Sequence, residues 1–209
     1  MIVQYNFQNR QRSFRFVRWL LVSISLLSIV QVAQAASFNP GCTNGVGDTS
    51  ALVAAISTAS SNGAADTIQL VGGCTYTLIT ELTVDLSDGQ PLTIEGSNAT
   101  ISGNHAVRVL KVLAGSTVTL NRVIITKGFT DEQANSDGEG AGIANEGTLT
   151  IKNSTVTKNQ ATNGGGGGIL NDQGTLTLNK TTVSQNTLNS GDGGGIKNAE
   201  GTVTVINST

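Results

Sequence analysis

From residue 115 onward the chain repeats itself, and a period of this length admits few folds. A four-residue core recurs as Thr117-Val-Thr-Leu120, Thr148-Leu-Thr-Ile151, Thr175-Leu-Thr-Leu178 and Thr202-Val-Thr-Val205. Its successive copies start 31, 27 and 27 residues apart. A second marker precedes it: Gly142-Ile143, Gly168-Ile169 and Gly195-Ile196, each followed two residues on by Asn145, Asn171 or Asn198. A third marker follows it: Val156-Thr-Lys-Asn159 and Val183-Ser-Gln-Asn186, with a degenerate Ile125-Thr-Lys-Gly128 one repeat earlier.

Each unit therefore holds two or three strands too short to bury a face alone. Stacking the units about 4.8 Å apart buries those faces together. Strand alternation sends Leu149 and Ile151 inward and Thr148 and Thr150 outward. The stack then aligns Val118, Leu149, Leu176 and Val203 in one ladder. It aligns Leu120, Ile151, Leu178 and Val205 in a second, and Ile143, Ile169 and Ile196 in a third. Asn159 over Asn186, and Asn145 over Asn171 over Asn198, form amide ladders at the bends. The runs Gly164 to Gly168 and Gly193 to Gly195 are expected to turn the corners where φ is positive. The expected fold is all-β: a right-handed, single-stranded parallel β-helix with an N-terminal capping helix.

That helix is expected over Asp48 to Gly63. Leu52, Val53, Ile56 and Ala59 give it an apolar face. Asp48, Thr49 or Ser50 caps its start and Gly63 its end. A β-helix has open strand edges, and the helix is placed to cover those at the N-terminal end. Short β-prone runs follow at Thr67 to Val71, Thr75 to Ile79, Leu92 to Glu95 and Thr100 to Ser102.

The first 35 residues read as a secretory signal. Arg10, Arg12, Arg15 and Arg18 form a basic start, Trp19 to Val32 an apolar run, and Ala33-Gln34-Ala35 a small-x-small cleavage site. The rival reading is a membrane anchor, but a spanning helix needs about 20 apolar residues. The domain expectation is a signal peptide over 1–35, a cap and first strands over 36–90, and β-helix repeats over 91–209 that stop mid-repeat. Export favours a disulfide between the two cysteines, Cys42 and Cys74. A zinc site is the weaker alternative, with no second cysteine pair and one distant His.

Residues 1–35 hold four Arg and no acids, so the rest carries eight Lys+Arg against 14 Asp+Glu, a net of −6. That balance argues against nucleic acid or an anionic membrane as the partner.

The segments GAGIANEGTLTIKNSTVTKNQA (140–161) and GGGILNDQGTLTLNKTTVSQNT (166–187) resemble the pectate-lyase-like β-helix repeats of bacterial surface proteins. The Gly-Gly-small-Ile and hydrophobic-x-x-Asn pairing is similar to the polymorphic outer membrane protein repeat, with Val156 and Val183 where that repeat has Phe. The segment from Cys42 to Leu78 looks like the lead-in found on such proteins. The resemblance implies a parallel β-helix at a bacterial surface. It implies no single function, since this architecture serves many roles.

Enzymes with this architecture set the tests for chemistry. Pectate lyases use Asp ligands for Ca²⁺ and an Arg base. Here residues 36–209 hold only Arg108 and Arg122. Polygalacturonase-like hydrolases need neighbouring Asp residues and a His. This chain has no Asp-Asp pair, and His105 stands alone in a turn-like Gly103-Asn-His105-Ala. No catalytic or cofactor-binding residue is assigned. Calcium would find oxygen ligands in the loop from Thr130 to Glu139, at Asp131, Glu132, Asp137 and Glu139, but a solvated excursion between two repeats is the favoured reading, since it also explains the longer 31-residue spacing. Four sequons, at Asn98, Asn153, Asn179 and Asn207, follow from Thr/Asn-rich composition.

The leading expectation is a non-catalytic, adhesin-like or structural β-helix, secreted or on the cell surface, that binds a polysaccharide or another surface ligand. One alternative is a polysaccharide lyase or hydrolase with active rungs missing or unrecognised. Another is an ice- or surface-binding array built from the Thr-x-Thr pairs. An outer-membrane or other anchor is expected beyond Thr209.

Overall fold

Every short strand of the repeat finds its partner one repeat away. The computed structural model describes residues 34–131 and 139–209. Parallel strands stack into a β-solenoid of about six turns. The signal-peptide reading falls almost wholly on residues outside this range. Among the described residues no helix is long and apolar enough to cross a membrane.

Three faces build the solenoid. The first stacks Asp66–Gln69, the leading halves of Leu92–Ser102 and Thr117–Thr126, then Thr148–Lys152, Thr175–Asn179 and Thr202–Ile206. The second stacks Thr75–Thr77, the trailing halves of those two long strands, Thr155–Thr157 and Thr182–Ser184. The third stacks Leu82–Val84, Leu110–Val112, Ile143–Asn145, Ile169–Asp172 and Ile196–Ala199. Phe129–Thr130, Gln160–Ala161 and Thr187–Leu188 line the corner between the second and third faces.

The register is the one the repeat implies. Leu149 pairs with Val118 and Leu176, and Leu176 with Val203. Ile169 pairs with Ile143 and Ile196. Leu149, Ile151, Ile169 and Leu176 are fully buried in one core that runs from the helix to the last turns. Trimming one methyl there, as in Ile151→Val, is expected to lower stability by about 1 kcal/mol, read as a shift in urea midpoint at constant slope.

The corners depart from expectation in part. Between the first and second faces the left-handed position is held by Arg122, Asn153, Lys180 and Asn207, with φ of 54°, 51°, 52° and 49°. The next corner uses Lys127, Lys158 and Gln185. Within the glycine runs Gly164, Gly166 and Gly193 do turn in the left-handed region, with φ of 76°, 65° and 75°, as expected, whereas Gly167, Gly168, Gly194 and Gly195 have no positive φ. Gly142 and Gly168 are small because the next turn's backbone and an asparagine side chain both lie over them: a Cβ would run into the Gly168 carbonyl and the Gly195 carbonyl respectively. A Cβ on Gly168 would sit 2.6 Å from Asn186 Nδ2, and one on Gly142 2.8 Å from Asn159 Nδ2. Gly168→Ala is expected to cost roughly 1–3 kcal/mol through overpacking, measured as a fall in melting temperature.

At the N-terminal end the cap has more parts than one helix. The helix spans Thr49–Ala59, with Ser60 rather than Gly63 as its C-cap. It buries Leu52, Ala55, Ile56 and Ala59, while Val53 is 45% exposed. The i, i+3, i+4, i+7 spacing explains this, because Val53 lies about 100° round from Leu52. Asp48 accepts from the Ala51 N–H at 2.9 Å. The Ser50 hydroxyl first, then that N–H, hold its carboxyl below the ordinary range. The cap is therefore at full strength above the unfolded-state pKa and weakens as pH falls through the lowered folded value.

Strand Ser37–Phe38 covers the edge of Asp66–Gln69 on the first face. A hairpin, Cys42–Thr43 with Val46–Gly47, covers Thr75–Thr77 on the second. Its turn residues Asn44 and Gly45 have φ of 53° and 80°, as a primed hairpin turn requires. Cys42 and Cys74 form the disulfide that ties this hairpin to the first turn. Tyr76, fully buried, donates its hydroxyl proton to the Pro40 carbonyl at 2.8 Å and accepts from the Val71 N–H at 3.1 Å.

Candidate functional site

Two lateral surfaces carry the repeat's chemistry outward. On the first face the register stacks two columns of threonine. Thr117, Thr148, Thr175 and Thr202 form one; Thr93, Thr119, Thr150, Thr177 and Thr204 form the other. Alternation along each strand separates the columns by about 6.6 Å, and the turns repeat about every 4.8 Å. The Thr117 column is exposed, and Thr119, Thr150 and Thr177 are half-buried. The result is a flat array of hydroxyls and methyls.

The second face is bordered by the two left-handed corners. Its outward residues are Ile124, Thr155, Thr157, Thr182 and Ser184. Thr157 and Ser184 hydroxyls lie 3.4 Å apart. Arg122 and Lys180 stand at one border, Lys127 and Lys158 at the other.

Both surfaces are held in shape by amide ladders, buried at Asn145, Asn159 and Asn171. Asn145 Nδ2 donates to Asn171 Oδ1 at 2.6 Å, and Asn171 Nδ2 to Asn198 Oδ1 at 2.7 Å. Each also donates to a carbonyl of its own turn, Gly147, Gly174 or Gly201. In the second ladder Asn159 Nδ2 donates to Asn186 Oδ1 at 2.9 Å, and Asn159 Oδ1 accepts from the Gly128 N–H. The first ladder starts at Asn145 because the preceding turn offers Val112 at that register. Asn145 Oδ1 is accordingly buried with no hydrogen-bond partner.

The residues weighed for catalysis are dispersed. Arg122 leaves its strand exposed and pairs at 3.3 Å with Glu95 of the preceding turn. Glu95 also takes both amide protons' worth of contact from Asn121, at 2.8 and 2.9 Å. His105 is exposed in a left-handed turn, and its N–H donates to the Lys127 carbonyl at 2.8 Å. Arg108, the other arginine weighed as a base, has a positional role. It is buried, and its guanidinium donates to Glu81 at 3.1 Å, to the Gly140 carbonyl at 3.1 Å and to the Glu139 carbonyl at 2.9 Å. It thereby pins the returning end of the long excursion before the third face. Of the calcium candidates, Glu132 and Asp137 lie outside the described residues. Glu139 forms an ion pair with Lys197 at 2.9 Å. No group of three or more acidic, His or Cys side chains suited to a metal occurs among the described residues.

Comparison with protein families, with curated proteins and with solved structures finds no match for the chain.

Proposed function

We propose that the chain is an exported, non-catalytic β-solenoid of the cell surface or extracellular space, adhesin-like or structural, akin to the pectate-lyase-like repeat proteins its motifs resemble. The observation that carries this reading is the sameness of its rungs. Successive turns present the same outward residues in register, which builds an extended repetitive surface rather than one convergent pocket. Such a surface suits a ligand that is itself extended. The basic start, apolar run and cleavage site of residues 1–35 supply the export half of the reading. The test is N-terminal sequencing of the protein recovered from each cell fraction. A chain beginning at Ala36, outside the cytoplasm, is the expected result; a cytoplasmic chain with its start intact contradicts it.

The Thr array on the first face favours one further reading, binding to an ordered surface such as ice. Under that reading the protein shows thermal hysteresis, and Thr150→Tyr with Thr177→Tyr abolishes it. Absence of hysteresis in the parent protein ends this reading.

A further inference from the structure

Charge is not spread evenly round the solenoid. The second face and its two borders, over three successive turns, comprise residues 121–128, 152–159 and 179–186. These segments contain Arg122, Lys127, Lys152, Lys158 and Lys180, five of the eight cations of residues 36–209, and none of the 14 acids. Four of the eight cations are engaged in ion pairs, Arg122 with Glu95 of the preceding turn, Arg108 with Glu81, Lys111 with Glu146 and Lys197 with Glu139, which leaves Lys127, Lys152, Lys158 and Lys180 as the charge this face presents. Three of the 14 acids, Glu146, Asp172 and Glu200, lie at the corner between the third and first faces. A chain of net −6 has nonetheless gathered four lysines, with no acid in the same three segments, on one face and its borders.

Turn chemistry does not account for these cations. Arg122, Lys127, Lys158 and Lys180 occupy left-handed backbone, with φ of 54°, 54°, 57° and 52°. Asparagine adopts that region more readily, and Asn153 and Asn207 fill the equivalent corner in other turns. Stacking also sets like charges against each other. The Lys127 N–H donates to the Lys158 carbonyl at 3.1 Å, so these two corners are direct neighbours. Two rows result, Arg122, Lys152 and Lys180 along one border and Lys127 and Lys158 along the other. Threonine and serine hydroxyls lie between them.

We infer that this face binds a linear anionic polysaccharide, with sulfate or carboxylate groups on the two cation rows and sugar hydroxyls on the Thr155, Thr157, Thr182 and Ser184 strip. The inference rests on the surface-binding reading above and names its ligand class. The composition of the face selects a sugar over other polyanions. Single-stranded nucleic acid is held by aromatic stacking, and the three segments contain no aromatic residue. An anionic bilayer would need apolar side chains to insert, and Ile124 is the one large apolar residue pointing outward.

The test is retention of the purified protein on immobilised heparin, polygalacturonate, neutral dextran and DNA across a salt series. The expected result is salt-sensitive retention on heparin, polygalacturonate or both, and none on dextran; the tighter of the two identifies the anion. The combined variant Lys127→Ser, Lys152→Ser, Lys158→Ser, Lys180→Ser is expected to bind roughly tenfold or more weakly, while Lys111→Ser binds as the parent does. Should the combined variant not fold, the single variant Lys158→Gln gives a smaller loss in the same direction. Retention on dextran, a preference for DNA, no retention on either acidic polymer, or equal binding by the parent and a folded variant would each overturn the inference. A protein correctly exported and cleaved but retained on neither acidic polymer defeats the ligand and leaves the export reading standing.

Discussion

Replacing Asn171 with leucine is expected to lower stability by roughly 3–5 kcal/mol, far beyond what its volume change would cause. Asn171 is fully buried and sits in the middle of the amide ladder. Its Oδ1 accepts from Asn145, and its Nδ2 donates to Asn198 and to the Gly174 carbonyl. Leucine cannot make any of these bonds. The Gly174 carbonyl keeps the Thr202 N–H at 2.9 Å, but Asn145 Nδ2 loses an acceptor and Asn198 Oδ1 its donor, which weakens the turns on both sides. Each buried polar group left unpaired costs about 1–3 kcal/mol. Equilibrium urea unfolding measures the loss. Asn171→Asp separates the chemistry from the shape. Its carboxylate would face Asn198 Oδ1 and the Gly174 carbonyl, two acceptors, so folding favours the protonated form and raises the pKa. The variant is therefore expected to be most stable below the ordinary carboxylate range and to lose stability as pH rises through the raised value. Equal stability at pH 4 and pH 8 would remove the ladder from the account.

Removing the Cys42–Cys74 disulfide, by Cys42→Ala with Cys74→Ala, is expected to cost roughly 3–4 kcal/mol from chain entropy alone. The two cysteines are 32 residues apart, and the loop they close contains the whole capping helix. Without the bond, the hairpin over the second face is held by strand pairing and the Tyr76 hydroxyl. Fraying would then expose the first-turn edges that the cap covers. The measurement is thermal unfolding with and without reductant. Parent protein in reductant should match the double variant, and a parent unchanged by complete reduction would contradict the assignment.

Much of the solenoid was legible in the sequence, because a repeat stacked in register turns sequence alignment into spatial alignment. Leu149 over Leu176 and Asn145 over Asn171 needed only the 27-residue offset and strand alternation. What escaped the reading was what breaks the repeat. The Asn44-Gly45 hairpin was a readable primed-turn signal, but it lies before the periodic region and was overshadowed by the helix. The positional role of Arg108 is not legible in the sequence, since partners such as Glu81 and the Gly140 carbonyl come from distant stretches of chain. Backbone freedom accounts for Gly164, Gly166 and Gly193, whereas the next turn's carbonyls and the asparagine ladder crowd Gly142 and Gly168, and Lys and Asn take the corners either side of the second face. The cation-lined face was hidden for a related reason. Five cations spread over some sixty residues form no run in the sequence, and only the stacking collects them.

A solenoid that holds an acidic polysaccharide without cutting it should bind the polymer and leave its length unchanged. The direct measurement is size-exclusion chromatography with light scattering on polygalacturonate, and in parallel on heparin, after prolonged incubation with the protein, with and without Ca²⁺. The account predicts that protein co-elutes with at least one polymer and that the polymer's mass is unchanged. A polymer that shortens with time, in either condition, would contradict it and establish the chain as an enzyme.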